Sequence, residues 1–282
     1  MFVGTPKRER QKANRQQRLE ELARQARAGK RKRTGMFLVL IPLAAIAITG
    51  VAVLVKGNGG STAATTTTVT LAPSTTVTTV PLPSTIPGAT LTGDTPCPAA
   101  DGSSARTIAF AKVPPTCIDP TKTYTAVVTT NMGAYTVALD ATTAPITVNN
   151  FVVLARYHYF DNTICHRAIP GFMVQCGDPT GTGQGGPGYS ITDELPAAGS
   201  YKIGSLAMAN TGSANTGGSQ FFVVTGAEGV SLGATFSLFG QVTDGLDTTL
   251  KTLDAAGNPD QAANGIPPLE QIIIQSVVIT ET

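Results

Sequence analysis

Arg167 lies in the stretch CHRAIPGFMVQCGDP, residues 165–179, among mostly apolar neighbours and with no acidic residue before Asp178. A guanidinium is always charged and presents five donors in one plane. With no carboxylate nearer in this stretch than Asp178, it is suited to a partner that arrives from outside. Other chemistries fit less well. Only two histidines exist, His158 and His166. Ser219, His166 and Asp178 name the members of a nucleophilic triad, but nothing in the sequence marks that arrangement. Cys165, His166 and Cys176 offer zinc-type ligands, yet adjacent strand residues point to opposite faces, so Cys165 and His166 cannot both meet one ion. The glycine-rich GTGQGGPGY, residues 181–189, lacks a GK[ST] ending and has no helix after it; it reads as an exposed flexible loop rather than a phosphate cradle. No metal and no cofactor is expected. What remains is one arginine and apolar groups supplied by separate segments.

Strands must position these groups. TYTAVVTTNMGAYTVALD, residues 123–140, reads as two strands around a turn at Asn131, Met132 and Gly133. TVNNFVVLARYHYF, residues 147–160, reads as a helix, with Phe151, Leu154 and Tyr157 or His158 at three-to-four-residue spacing. TICHRAI, FMVQC, GSLAMA, SQFFVVTG and FSLFGQV are further strand candidates. GLDTTLKTLDAA is a second helix and EQIIIQSVVIT a closing strand. Many short strands, Gly/Pro punctuation and two helices predict a mainly β barrel or sandwich over residues 95–282. That length holds one substantial core.

The chain before residue 95 divides in three. Residues 1–35 carry twelve Lys/Arg and three Glu, a net +9, whereas the remainder is net −7. This asymmetry suggests a membrane-facing or acid-binding tail and argues against a nucleic-acid-binding main domain. Residues 36–55, MFLVLIPLAAIAITGVAVLV, form an uncharged run of twenty. A helix of that length spans about 30 Å, the thickness of a bilayer's hydrocarbon core. The run is long for a signal peptide, and the following KGNGG lacks a small-residue cleavage pattern. The basic side is expected to stay in the cytoplasm, leaving the C-terminal part outside. Residues 56–94 are rich in Thr, Pro and Ser, which predicts a disordered linker and fits an O-glycosylated stalk. Disulfides are permitted outside the cytoplasm. The four cysteines allow three pairings. Cys97 and Cys117 bracket an irregular Pro-rich segment and suit a bridge. Cys165 and Cys176 lie on neighbouring strands. With Arg167 opposite Gln175 they fall one residue out of register, so a bulge would be needed to join them.

Taken together, CHRAIPGFMVQCGDP, SLAMANTG, GGSQFFVVT and FSLFGQV resemble the cyclophilins, peptidyl-prolyl cis-trans isomerases, over about residues 123–280. The resemblance implies an eight-stranded antiparallel barrel capped by two helices, with a groove on its outer face. It implies catalytic roles for Arg167 and Gln175. It implies a proline pocket of Phe172, Met173, Phe222 and Leu232, with Gln220 bonding peptide carbonyls or orienting the guanidinium. Ala209 and Asn210 would meet the peptide through their main chain. Phe236 stands near a place where family members often carry histidine. Val230 or Ser231 stands where Trp or His often precedes the leucine, and the chain has no Trp. The MANTGSANTGGSQFF stretch is one residue longer than the usual form.

The implied reaction fits these residue types. Rotation about an X–Pro bond faces a barrier of about 18–20 kcal/mol from amide resonance. An enzyme needs only to bind the twisted amide better than the planar one. The twisted proline nitrogen regains a lone pair, to which a guanidinium can donate. The expectation is a monomeric, membrane-anchored isomerase with its catalytic domain outside the cytoplasm, acting on proline-containing exported or cell-envelope polypeptides. In composition and topology it resembles the anchored cyclophilins of Gram-positive actinobacteria. The alternative is a non-catalytic proline-peptide-binding scaffold, for which the apolar pocket would suffice without Arg167.

Overall fold

The computed structural model describes residues 87–282. The basic tail, the apolar run 36–55 and the linker up to residue 86 lie outside the described residues, and no helix among the described residues is long and apolar enough to cross a membrane. In chain order the strands are β1 (Ala89–Leu91), β2 (Thr107–Phe110), β3 (Tyr124–Thr130), β4 (Gly133–Leu139), β5 (Thr163–Ile164), β6 (Arg167–Ile169), β7 (Met173–Cys176), β8 (Ser205–Met208), β9 (Phe221–Val224), β10 (Leu238–Asp244) and β11 (Ile273–Glu281). The helices are α1 (Pro145–Arg156), α2 (Ala227–Val230) and α3 (Thr249–Ala255).

Nine strands form one antiparallel sheet in the order β5-β11-β3-β4-β10-β8-β9-β7-β6. Its two edges, β5 and β6, are successive pieces of one stretch, so the sheet curls back on itself. The resemblance implied eight strands; hydrogen bonding makes nine because the run 163–169 changes partner midway. Thr163 and Ile164 pair with β11, whereas Arg167 to Ile169 pair with β7. Between them Cys165 N–H donates to Ile272 O and Cys165 bridges to Cys176. The off-register cysteines therefore meet where the chain leaves one ladder for another, and the expected bulge is not the device used.

Period-two patterning builds the core. In β3, Tyr124, Ala126, Val128 and Thr130 are buried and alternate with partly exposed residues. One large apolar cluster fills the inside of the curl and includes Phe151, Phe160, Phe221 and Phe239, whose rings meet stacked, edge-on or, for Phe239 on Phe151, tilted. Helix α1 is buried from Thr147 to Arg156 and packs against β11. Pro145 opens it, and Ala144 offers no capping side chain. Glu194, from a distant loop, supplies the cap instead: its carboxylate accepts from Ile146 N at 2.9 Å and from Thr147 N at 2.8 Å. The helix stops at Arg156, short of the expected residue 160, because His158 takes a left-handed conformation with φ 54°. Helix α3 buries Leu250 and Leu253 and packs against β4, β6 and β7. The four-residue α2 was not legible in the sequence.

The described residues also include part of the expected linker, which ends at residue 94. Strand β1 lies inside that segment and pairs in parallel with β2. The chain around this pair, residues 87–119, forms a collar against α1, the turn that follows it and the glycine-rich loop. The Cys97–Cys117 disulfide closes it, and Phe110 and Ile118 enter the main core.

Candidate active site

The outer face of the curl carries a second, smaller apolar cluster. Its buried members are Met173, Tyr201, Ala207, Phe222 and Val224, with Phe172, Ala209, Leu232 and Phe236 packed against them. Strand alternation explains the division. On β7 and β9, Val174, Phe221 and Val223 point to the main core, so Met173, Gln175 and Phe222 must point outward. Register then aligns them. Arg167 pairs with Gln175, Gln175 with Phe222, and Phe222 with Ala207, in one row across four strands. The next row holds Ile169, Met173 and Val224. Phe222 meets Phe236 edge-to-face at 5.2 Å between centroids. All the apolar residues singled out in the sequence thus fall in one place. Tyr201, which sequence reasoning missed, fixes Phe236: its hydroxyl donates to Phe236 O and accepts from Phe236 N. Asp254 of α3 accepts from Gly171 N at 2.8 Å and from the Thr225 hydroxyl at 2.5 Å, which holds the turn ahead of Phe172.

Arg167 closes one end of the row. Its partners are polar but uncharged. Nε donates to Asn264 O at 3.0 Å, Nη2 to Asn264 Oδ1 at 2.9 Å and Nη1 to Gln175 Oε1 at 3.3 Å. Among the described residues no carboxylate lies within ion-pair distance of it. Its guanidinium carbon sits 5.9 Å from the centre of the Phe172 ring. Burial lowers its pKa from the ordinary value, and a guanidinium remains charged all the same. Asn264, another residue missed in the sequence, comes from the loop before β11 and takes φ 52°. The Asn-Gly pair at 264–265 signals such a turn, but nothing local ties it to a residue 97 positions away.

A relay continues from the arginine. Gln175 Nε2 donates to Gln220 Oε1 at 2.9 Å, and Gln220 Nε2 donates to Gly183 O and Gly185 O at 3.0 and 2.9 Å. The glycine-rich loop is therefore not loose. It wraps the fully buried Asp178, whose carboxylate accepts from the backbone N–H groups of Thr180, Thr182, Gly183 and Gly185. Burial alone would raise that carboxyl, but the bonds from Thr180, Gly185 and Gly183 outweigh it and hold it below the ordinary range. The expectation of an exposed flexible loop is corrected by this internal anion, which takes the N–H groups a phosphate would need.

The remaining candidates divide. Asn210 Nδ2 donates to Thr235 O, and its Oδ1 accepts from Gly212 N. Ala209 N–H is spent on Gln220 O, so of its main chain only the carbonyl is left for a peptide. Ser219 is buried and donates to Gly177 O, with Tyr159 OH as its other partner; it makes no bond to His166. The His166 ring is buried, which lowers its pKa against the opposing pull of Asp178. No triad forms. A neutral cavity of about 500 Å³ opens beside Gln175 and Gln220, walled by the glycine loop on one side and by Asn210, Thr211 and Thr216 on the other.

Residues 125–279 match the family model described as cyclophilin type peptidyl-prolyl cis-trans isomerase/CLD, over half of the chain. The chain belongs to the cyclophilin family. The cyclophilin domain is 44% identical over 161 residues to peptidyl-prolyl cis-trans isomerase-like 1 of Gibberella zeae, covering 55% of this chain and 94% of that one. It is 42% identical over 162 residues to peptidyl-prolyl cis-trans isomerase-like 2 of Cryptococcus neoformans, covering 55% of this chain but only 27% of that larger protein. Among solved structures, a Cryptosporidium parvum cyclophilin type peptidyl-prolyl cis-trans isomerase is 33% identical, with a TM-score of 0.51, covering 57% of this chain and 99% of the other. That protein has also been crystallised in the presence of the dipeptide Ala-Pro. The collar, residues 87–119, lies outside the matched region.

Proposed function

We propose that this chain is a peptidyl-prolyl cis-trans isomerase, held to a membrane by residues 36–55, that works on X–Pro bonds of exported or cell-envelope proteins. Family membership and the isomerase names of its relatives support the activity. The observation that carries the mechanism is a guanidinium with no carboxylate, at the end of a row that runs into an apolar cluster. Met173, Phe222 and Leu232, with Phe172 beside them, take the proline ring. Arg167 donates to the twisted imide nitrogen and steadies the neighbouring carbonyl. Its bonds to Asn264 and Gln175 orient the planar fork before substrate arrives, so little reorganisation is needed at the top of the barrier. The Phe236 ring against Phe222 narrows the rim where a polar residue would otherwise stand.

The basic tail and the uncharged run of twenty support an anchor with the catalytic domain outside the cytoplasm. Two disulfides in the described residues fit an oxidising compartment.

The test is cis/trans exchange in a short X–Pro peptide, followed by NMR with the full chain in detergent at a hundredth of the peptide concentration, an illustrative ratio of about 1:100 that only a catalyst can satisfy. Accelerated exchange supports the reading. Peptide binding at stoichiometric protein with no acceleration makes the protein a static proline-peptide binder and overturns it.

A further inference from the structure

We infer that the collar is a specificity element: by bracing the glycine-rich loop from behind, it shapes the neutral cavity beside Gln220 and so selects an uncharged side chain flanking the substrate proline. This rests on the isomerase reading above, and goes beyond it by assigning a role to chain outside the family domain.

The contact between collar and cavity is direct. Phe110, at the end of β2, is 3% exposed. Its N–H donates to Pro187 O at 2.8 Å. Its carbonyl lies so close to Gly188 that a Cβ there would fall 2.5 Å from the oxygen, and Gly188 has φ 104°. Its ring meets Tyr189 edge-on at 6.1 Å. Pro187 and Tyr189 are themselves walls of the cavity. One strand of the collar thus grips three consecutive residues of the loop on the side away from the substrate.

A second path reaches the opposite wall. Tyr189 OH donates to Asn150 Oδ1, and Asn150 Nδ2 donates to Gly218 O, which also lines the cavity. The preceding residue, Asn149, binds the collar: its Oδ1 accepts from Cys117 N at 2.7 Å, and its Nδ2 donates to Pro115 O at 2.9 Å. Two neighbouring asparagines on α1 therefore tie the cavity and the collar to one buried helix. The disulfide Cys97–Cys117 holds the collar closed at this point.

The lining decides the class of side chain. It contains amides, hydroxyls and glycine backbone, and no charged residue. An uncharged side chain can exchange its water for these groups, whereas Lys or Glu would be desolvated without an opposite charge. The cavity adjoins Gln175 and Gln220 of the relay, so its occupant belongs to the same peptide that Arg167 holds.

The experiment uses the full chain in detergent as wild type, Phe110→Leu, and the double variant Cys97→Ala/Cys117→Ala. Substrates are X–Pro peptides with Gly, Gln, Leu, Lys or Glu placed in turn at the two positions on each side of the proline. At one of those positions wild type should favour Gln or Leu over Lys and Glu by about tenfold in kcat/KM, and each variant should compress the preference to about two- to threefold while the all-Gly peptide changes by less than about twofold. Amides of Gly183 to Tyr189 should exchange hydrogen faster in both variants. The idea is overturned if wild type shows no preference, if the variants keep it, if every peptide slows equally, or if loop exchange does not change. A wild type that isomerises no peptide at all defeats the isomerase reading itself, and this inference with it.

Discussion

Replacement of Arg167 tests the proposed mechanism most sharply, because stability and catalysis should separate. In the folded protein the guanidinium makes three bonds to uncharged acceptors and stacks near Phe172. It is partly buried, and no carboxylate would be left stranded by its loss. Removal should therefore cost only about 1–2 kcal/mol of stability. In a domain of this size that lowers Tm by about 2–8 °C. Catalysis should lose far more. Removal of one preorganised donor from the site of developing charge or lone-pair density costs about 10²- to 10³-fold, or about 2.7–4 kcal/mol. A site open on one side to solvent belongs at the lower end, so Arg167→Ala is expected to reduce kcat/KM by about 10²-fold. Arg167→Lys should recover at most about a tenth of the lost rate, since one ammonium cannot hold Asn264 and Gln175 while also facing the peptide. The assay is NMR exchange of an X–Pro peptide at 10 °C, a temperature that keeps the uncatalysed process on the scale of roughly minutes, run beside thermal melts. Arg167→Ala within about threefold of wild type would refute the reasoning, because a loss that small falls far below a transition-state donor. Full activity in Arg167→Gln would do so too, since a neutral donor would then suffice.

Four further outcomes can be measured, three from the geometry and the last from the sequence of the N-terminal part. Asn264→Gly keeps the left-handed backbone but removes the Oδ1 acceptor, so kcat/KM should fall about three- to tenfold with an unchanged or higher Tm, measured by the same exchange and melting experiments. Cys97→Ala/Cys117→Ala frees a closed loop of about 21 residues and should destabilise by about 3 kcal/mol in urea unfolding. His158 has its pKa raised, first by the Gly102 carbonyl bond and then by Asp161. Its contribution is therefore fully present below the ordinary histidine value and is lost as pH rises through the raised one. The Tm difference between wild type and His158→Gln should shrink between about pH 5.5 and 8.5, starting near the ordinary pKa of about 6.5 and ending above the raised one, and a constant difference would count against the link. Finally, deletion of residues 1–55 should move the protein from the membrane pellet to the supernatant after high-salt washing; retention in the pellet would count against the anchor.

Much of this protein is determined by local sequence. Alternating side chains in TYTAVVTTNMGAYTVALD give a hairpin whose observed register runs from Tyr124–Leu139 to Thr130–Gly133. The spacing within HRAIPGFMVQ puts Arg167 opposite Gln175 once the PGF turn is made. The apolar site residues are named through the resemblance to the cyclophilins; read alone, Phe172, Met173 and Phe222 pass for core, and it is the folded sheet that turns Met173 and Phe222 away from Val174 and Phe221.

Tertiary structure decided the rest, for reasons no local pattern carries. Asn264 reaches Arg167, Tyr201 fixes Phe236, and Glu194 caps α1, each across a long stretch of intervening chain. Asp178 turns a glycine-rich loop, open in appearance, into a rigid wall by presenting one buried anion to its N–H groups. Residues 87–94 of the collar read as the end of a linker because the Thr- and Pro-bearing composition runs into them; β1 instead pairs with β2, and Phe110 and Ile118 of the same collar find room in a core built by other strands. Composition and periodicity report which groups a segment must bury, whereas the partner that buries them is set by how the whole sheet curls.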